Sequence, residues 1–232
     1  MSSLTLIRHG QATAFERDTD RLTPRGETQA RQLALFWLKH GVGFDEVHSG
    51  TLTRQVQTER LVAECFHEAG VPWPEPARNR AWNEYDAGGV LRTSAVPWEP
   101  APGTPDEYRR FQLMFEAAML RWLDGSRAAD GVEPFADFRD RVTGAIHRVM
   151  AGPLDGAGRG AAGRRVAVFT SGGPIGFTVN FAVRGPDRSF LELNWRVRNC
   201  SLTGFVFSQR RVTLDSFNQV SHLEDAALRT FR

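Results

Sequence analysis

The sequence predicts an α/β fold with a mainly parallel central sheet flanked by helices, and three observations carry that prediction. Residues 4–69 alternate strand and helix patterns in a βαβα order, which a parallel sheet with covering helices produces. The chain has 232 residues, 41% hydrophobic and 24% charged, a balance that supports a sizeable buried core. Finally, three predicted strands run straight into glycine-bearing polar turns, the place where open parallel sheets bind ligands.

Each element has its own signal. Leu4–Arg8 is a short apolar run and reads as the first strand. Thr23 reads as a helix N-cap, with Pro24 at the first helical position and Glu27 in the first turn. The helix continues through Ala30, Leu33, Ala34 and Trp37, an apolar stripe at helical spacing, and stops near His40-Gly41. Glu46–His48 is a second strand leading to Ser49-Gly50, and a second helix covers about Thr53 to Ala69. The proline-rich stretch 94–106 reads as a loop into an insertion. Helices over Asp106–Leu123 and Phe135–Met150 follow, then a glycine-rich loop over 151–164. Arg165–Phe169 reads as a strand, Gly173–Val183 as a helix, and Cys200–Phe207 with Arg211–Phe217 as a closing β pair. The expected organisation is one domain over 1–232, with a helical insertion at about 90–130 above the active edge.

Composition narrows the function classes. A net charge of +2 gives no general case for nucleic acid or a membrane as partner. Lys39 is the only lysine; every other basic side chain is arginine, whose fork suits carboxylate and phosphate. Cys65 and Cys200 lack metal-ligand spacing and fit buried apolar roles in a reducing compartment. With no signal peptide pattern and no membrane-length apolar run, a cytoplasmic location is expected. There is no metal cluster, no P-loop and no GxGxxG sequence, so no cofactor is expected.

The strand ends carry the chemistry. The first ends in Arg8-His9-Gly10, the second in Ser49-Gly50 with Arg54 one helical turn further on. The third ends in Thr170-Ser171-Gly172-Gly173, where a helix N-terminus presents free N–H groups. Brought together, these ends would supply two guanidinium groups, an imidazole and a backbone anion nest. A phosphoryl group fits them, with the imidazole as nucleophile through a covalent phosphohistidine.

The Arg8-His9-Gly10 run resembles the signature of the histidine phosphatase superfamily, which includes phosphoglycerate mutases and acid phosphatases. The resemblance continues through RLTPRGETQA (21–30), HSGTLTRQVQT (48–58), WNEYDAGG (82–89), EPFADFRDRV (133–142), VAVFTSGGPI (166–175) and NCSLTGF (199–205). It implies a three-layer, phosphoglycerate mutase-like sandwich. It also implies His9 as the phosphorylated nucleophile, Arg8 and Arg54 as phosphate clamps, and Glu84 as the acid that protonates the leaving oxygen. Asp86 is a rival acid. The chain departs from the family where a second histidine usually follows the VAVFT strand. Ser171 stands there instead, leaving its hydroxyl and the Gly172-Gly173 backbone as expected phosphate contacts. His222, whose other reading is structural, is the first candidate to replace the missing imidazole, and Asp86 the second.

The expected function is a phosphatase acting on a small phosphomonoester. A phosphoglycerate mutase-type phosphotransferase is the neighbouring alternative, and a catalytically weak phospho-ligand-binding module the more distant one. A Ser171-Asp215-His222 hydrolase triad is disfavoured, because a nucleophile elbow wants glycine where Phe169 stands. Arg92, Arg109 and Arg110 in the insertion read as surface charge rather than as a second acid-binding group. A homodimer is left open.

Overall fold

A computed structural model describes residues 1–13, 20–92, 104–125, 131–152 and 163–231. Among the described residues, six strands form one sheet: β1 (Ser2–Arg8), β2 (Glu46–Ser49), β3 (Ala77–Arg78), β4 (Arg165–Thr170), β5 (Leu202–Phe207) and β6 (Val212–Gln219). Seven helices accompany them: α1 (Pro24–Lys39), α2 (Thr53–Glu68), α3 (Ala87–Arg92), α4 (Pro105–Leu123), α5 (Phe135–Ala151), α6 (Gly172–Val183) and α7 (Asp187–Arg196). No helix among the described residues is long and apolar enough to cross a membrane.

The strand order is β3-β2-β4-β1-β5-β6. The first four are mutually parallel, and β5 runs antiparallel to both β1 and β6. Register matters more for function than order does. Arg8 lies beside Thr170 and Ser49 beside Phe169, so β1, β2 and β4 finish level at one sheet edge.

Alternation along the strands divides the interior into two layers. Leu4 and Leu6 of β1, with Val166 and Val168 of β4, face α5 and α6 and meet Phe138, Ile146 and Phe177. Ile7, Ala167 and Phe169 face the other way, onto Leu33, Ala34 and Trp37 of α1 and Val62 and Phe66 of α2. Such three-layer burial lets a central parallel sheet be apolar on both faces.

The α1 start forms as the sequence predicts, with the Thr23 hydroxyl accepting from the Gly26 N–H at 3.1 Å. β5 starts at Leu202 rather than Cys200, because Cys200 takes φ 56°, a left-handed conformation that a strand cannot contain. Residues 184–199, unassigned from sequence, hold α7, and residues 87–92 hold α3. The α4 helix falls in the 90–130 stretch and α3 straddles its start, while the loops expected over 94–106 and 151–164 fall mostly outside the described residues.

Candidate active site

The level ends of β1, β2 and β4 assemble one constellation. His9 follows β1 and is 7% exposed. Its Nδ1 faces the Gly10 carbonyl oxygen at 2.7 Å, and the Arg54 Nε–H donates to its Nε2 at 3.0 Å. A carbonyl can only accept, so Nδ1 carries the proton and the Nε2 lone pair points toward the cavity floor. Burial, then Arg54, then Arg8, push the imidazole well below its ordinary value, while the Gly10 bond offsets part of this. A neutral, tautomerically fixed imidazole follows.

The backbone around His9 is clamped. Cys200 N–H donates to the His9 carbonyl at 3.1 Å, and Gly10 N–H donates to the Thr58 hydroxyl at 3.0 Å. Gly10 must be glycine for a concrete reason: a Cβ there would stand 2.5 Å from the Gly26 carbonyl oxygen. The reciprocal Cβ on Gly26 would stand 2.0 Å from the Gln11 carbonyl oxygen. Two bare backbones touch at this point, docking the His9 loop on the first turn of α1.

Arg54, in the first turn of α2, also donates from Nη1 to Asp20. The second Asp20 oxygen accepts from Thr53 N–H at 2.8 Å, so Asp20 caps α2 and orients the guanidinium together. Arg8 donates from Nη1 to the Val197 carbonyl.

Glu84 lies in the segment after the Arg80–Trp82 turn, against the start of α6. Its two carboxylate oxygens accept from Gly173 N–H at 3.1 and 3.0 Å. Gly173 is a glycine because a Cβ would lie 2.0 Å from a Glu84 oxygen and 2.8 Å from the Tyr85 ring. Burial raises the carboxyl above its ordinary range, and the Gly173 N–H, Arg54 and Arg8 pull back in that order. The Glu84 segment is pinned from behind by Arg141 of α5. That guanidinium donates to the carbonyls of Ala81 and Asn83 at 3.0 and 2.8 Å, and forks onto Glu133 at 2.5 and 2.8 Å.

The TSGG turn differs from its expected use. Ser171 is fully buried and its hydroxyl accepts from Gln55 Nε2 at 2.8 Å. The Gly173 N–H is given to Glu84. Ser171 and Gly172 lie behind the cavity wall rather than in it. His222 does not replace the missing imidazole. It is buried against Phe36 of α1, with ring centroids 6.1 Å apart, away from the cavity, where burial pushes it down to about 4. Asp86 does line the cavity, but it accepts from Gly89 N–H at 2.8 Å and pairs with Arg92 at 3.2 Å, as a cap for α3. Asp20, Gln55 and Arg141 were not singled out from sequence. Arg141 stands within the EPFADFRDRV segment, but only tertiary contact reveals what it holds.

Arg8, His9, Arg54 and Glu84 share a cavity of about 580 Å³, whose farther walls include Leu91, Phe111, Phe115, Trp195 and Phe231. A buried neutral imidazole beside two arginines can attack phosphorus, and a buried carboxyl on the same floor can hold a proton.

Known proteins share this architecture. The mycobacterial glucosyl-3-phosphoglycerate phosphatase matches with a TM-score of 0.65 at 20% identity, covering 94% of this chain and 99% of that one. The α-ribazole phosphatase of Shigella flexneri matches with a TM-score of 0.61 at 22% identity, covering 94% and 96%. At these identities the likeness speaks for the fold. A 2,3-bisphosphoglycerate-dependent phosphoglycerate mutase of Nitratidesulfovibrio vulgaris is 35% identical over 96 residues, 39% of this chain and 37% of that protein. This chain thus aligns with little more than a third of that relative's length. A sequence profile of the histidine phosphatase superfamily (branch 1) matches residues 4–220, and the chain belongs to that superfamily.

Proposed function

We propose that this protein is a phosphomonoesterase working through a phosphohistidine on His9. The observation that carries the reading is the His9 Nε2 lone pair, presented to the cavity by the Gly10 bond and met by Arg54 at 3.0 Å. A phosphate ester entering the floor offers Arg54 and Arg8 better acceptors than a ring nitrogen. Arg54 then turns to a phosphoryl oxygen and frees Nε2. The Nε2–P bond forms as the ester P–O bond breaks, and the departing oxygen takes the proton of the Glu84 carboxyl. Water next attacks phosphorus and gives a proton back to Glu84, while the N–P bond breaks and phosphate leaves. The arginines stabilise charge on the transferring oxygens throughout. The α3 and α4 helices, beside the cavity, are the proposed selectors of the alcohol group.

A weak phospho-ligand-binding module is the second reading. It is favoured by one feature, the burial of Ser171 against Gln55 where the family usually keeps a second imidazole. Hydrolysis of p-nitrophenyl phosphate without added metal, with His9→Ala alongside, separates the two. The proposal expects turnover that falls roughly 10³-fold or more in the variant. Equal turnover in both proteins would end it.

A further inference from the structure

We infer that the alcohol half of the substrate is an apolar, ring-sized group without a second acidic function. The inference rests on the phosphoryl-transfer reading of the site and names the substrate class for it. A cavity of about 580 Å³ is far larger than a phosphate needs, and falls in the range of organic ligand pockets. Above the Arg8, His9, Arg54 and Glu84 floor, its walls come from four separate parts of the chain. Leu91 comes from α3, Phe111 and Phe115 from α4, Trp195 from α7, and Phe231 from the last described residue.

These walls are a constructed aromatic surface. Phe111 and Phe115 stack with centroids 6.1 Å apart and planes 8° from parallel, and Phe115 meets Trp195 at 6.4 Å. Phe231 is held by the Arg198 guanidinium over its ring, 5.0 Å from the centroid. Its neighbour Thr230 is tied to Asn199 at 2.9 Å.

Charge placement completes the argument. Among the described residues lining the cavity, the arginines are Arg8 and Arg54, and both serve the phosphoryl end. The charged lining residue on the alcohol side is Asp86, an acid already paired with Arg92 at 3.2 Å. Arg109 and Arg110 of α4 are exposed and stand outside the lining. A carboxylate or second phosphate carried on the alcohol would lose water without gaining a further lining cation among the described residues, since Arg92 is paired with Asp86 and Arg198 lies over the Phe231 ring. An aromatic or alicyclic group would instead bury its surface against four rings.

Calorimetric titration of the full chain with two non-hydrolysable phosphonates tests this. We expect 1-naphthylmethylphosphonate to bind at least about 30-fold more tightly than 3-phosphonopropionate. The half-buried Phe111, replaced as Phe111→Lys, places an ammonium on the alcohol side and should narrow the ratio to about threefold or invert it. A melting curve checks that the variant folds, and the wild-type ratio decides even where it does not. Equal or tighter binding of 3-phosphonopropionate, or binding of neither compound, overturns the inference. The His9→Ala assay is read separately. Naphthyl preference without His9-dependent turnover removes the phosphoryl-transfer reading and keeps the pocket assignment. His9-dependent turnover with acidic preference removes the pocket assignment alone.

Discussion

At the residue scale, two titrating groups are moved in opposite directions by the same burial. His9 is pushed down, so it stays neutral well below the usual imidazole range, and protonation inactivates it only in the acid limb. Glu84 is pushed up, so it keeps its proton above the usual carboxyl range and loses it in the alkaline limb. The expected profile of kcat/KM is a bell whose acid limb lies below the usual imidazole range and whose alkaline limb lies above the usual carboxyl range. Glu84→Gln should lower turnover of phenyl phosphate by about 10²–10⁴-fold. It should spare kcat/KM for p-nitrophenyl phosphate, which is set before water attacks and whose leaving group needs little protonation, while kcat falls with the lost acceptor for the water proton. Equal losses of kcat/KM on both esters would remove Glu84 from the proton-donor role. The same scale governs Ser171. With Gln55 Nε2 at 2.8 Å and no exposed surface, a larger ring there must displace Gln55. Ser171→His should cost about 1–3 kcal/mol of stability by overpacking. A melting curve and the phosphatase assay should show a lower Tm and no gain in turnover.

At the element scale, the site depends on where backbones meet. The His9 loop and the first turn of α1 touch through Gly10 and Gly26, and no side chain fits between them. Gly26→Ala should destabilise by about 3 kcal/mol or more. It should also shift the His9 loop, so urea unfolding and turnover fall together. Loss of stability with unchanged turnover would show that the loop does not need this contact. The glycine of the Arg8-His9-Gly10 run was visible in the sequence, but its reason was not, because the contact joins residues sixteen positions apart in chain order. The β4–α6 turn gives the complementary lesson. Its glycines read as an anion nest from local pattern, yet Gly173 N–H serves Glu84, and only the tertiary placement of the 80–84 segment decides that. The short α3 and α7 escaped a periodicity reading because each offers few turns of pattern, while α1, α2, α4 and α5 carry long apolar stripes. The His222 expectation failed for a related reason. A histidine's distance along the chain says nothing of which face it packs on, and this one packs under Phe36.

At the scale of the whole molecule, a parallel sheet turns distant motifs into neighbours. Residues 9, 54 and 84 share a cavity because β1, β2 and β4 end level and α2 and α6 start just beyond them. That topology was legible in the βαβα opening and in the polar turns that end its strands. The second layer of support was not. Asp20 on Arg54 and Arg141 behind Glu84 are long-range ion pairs and carbonyl clamps without a short-range signal. The walls proposed for the alcohol were likewise hidden, since Leu91, Phe111, Trp195 and Phe231 converge only in three dimensions. The central claim is the covalent step, and rapid quenching under alkaline conditions during turnover of p-nitrophenyl phosphate tests it most directly. Mass spectrometry of the quenched protein should find one phosphoryl group on the peptide containing His9, labile to acid and absent from His9→Ala. A phosphoryl group on another residue, or turnover with no phosphoenzyme under single-turnover conditions, would contradict the account.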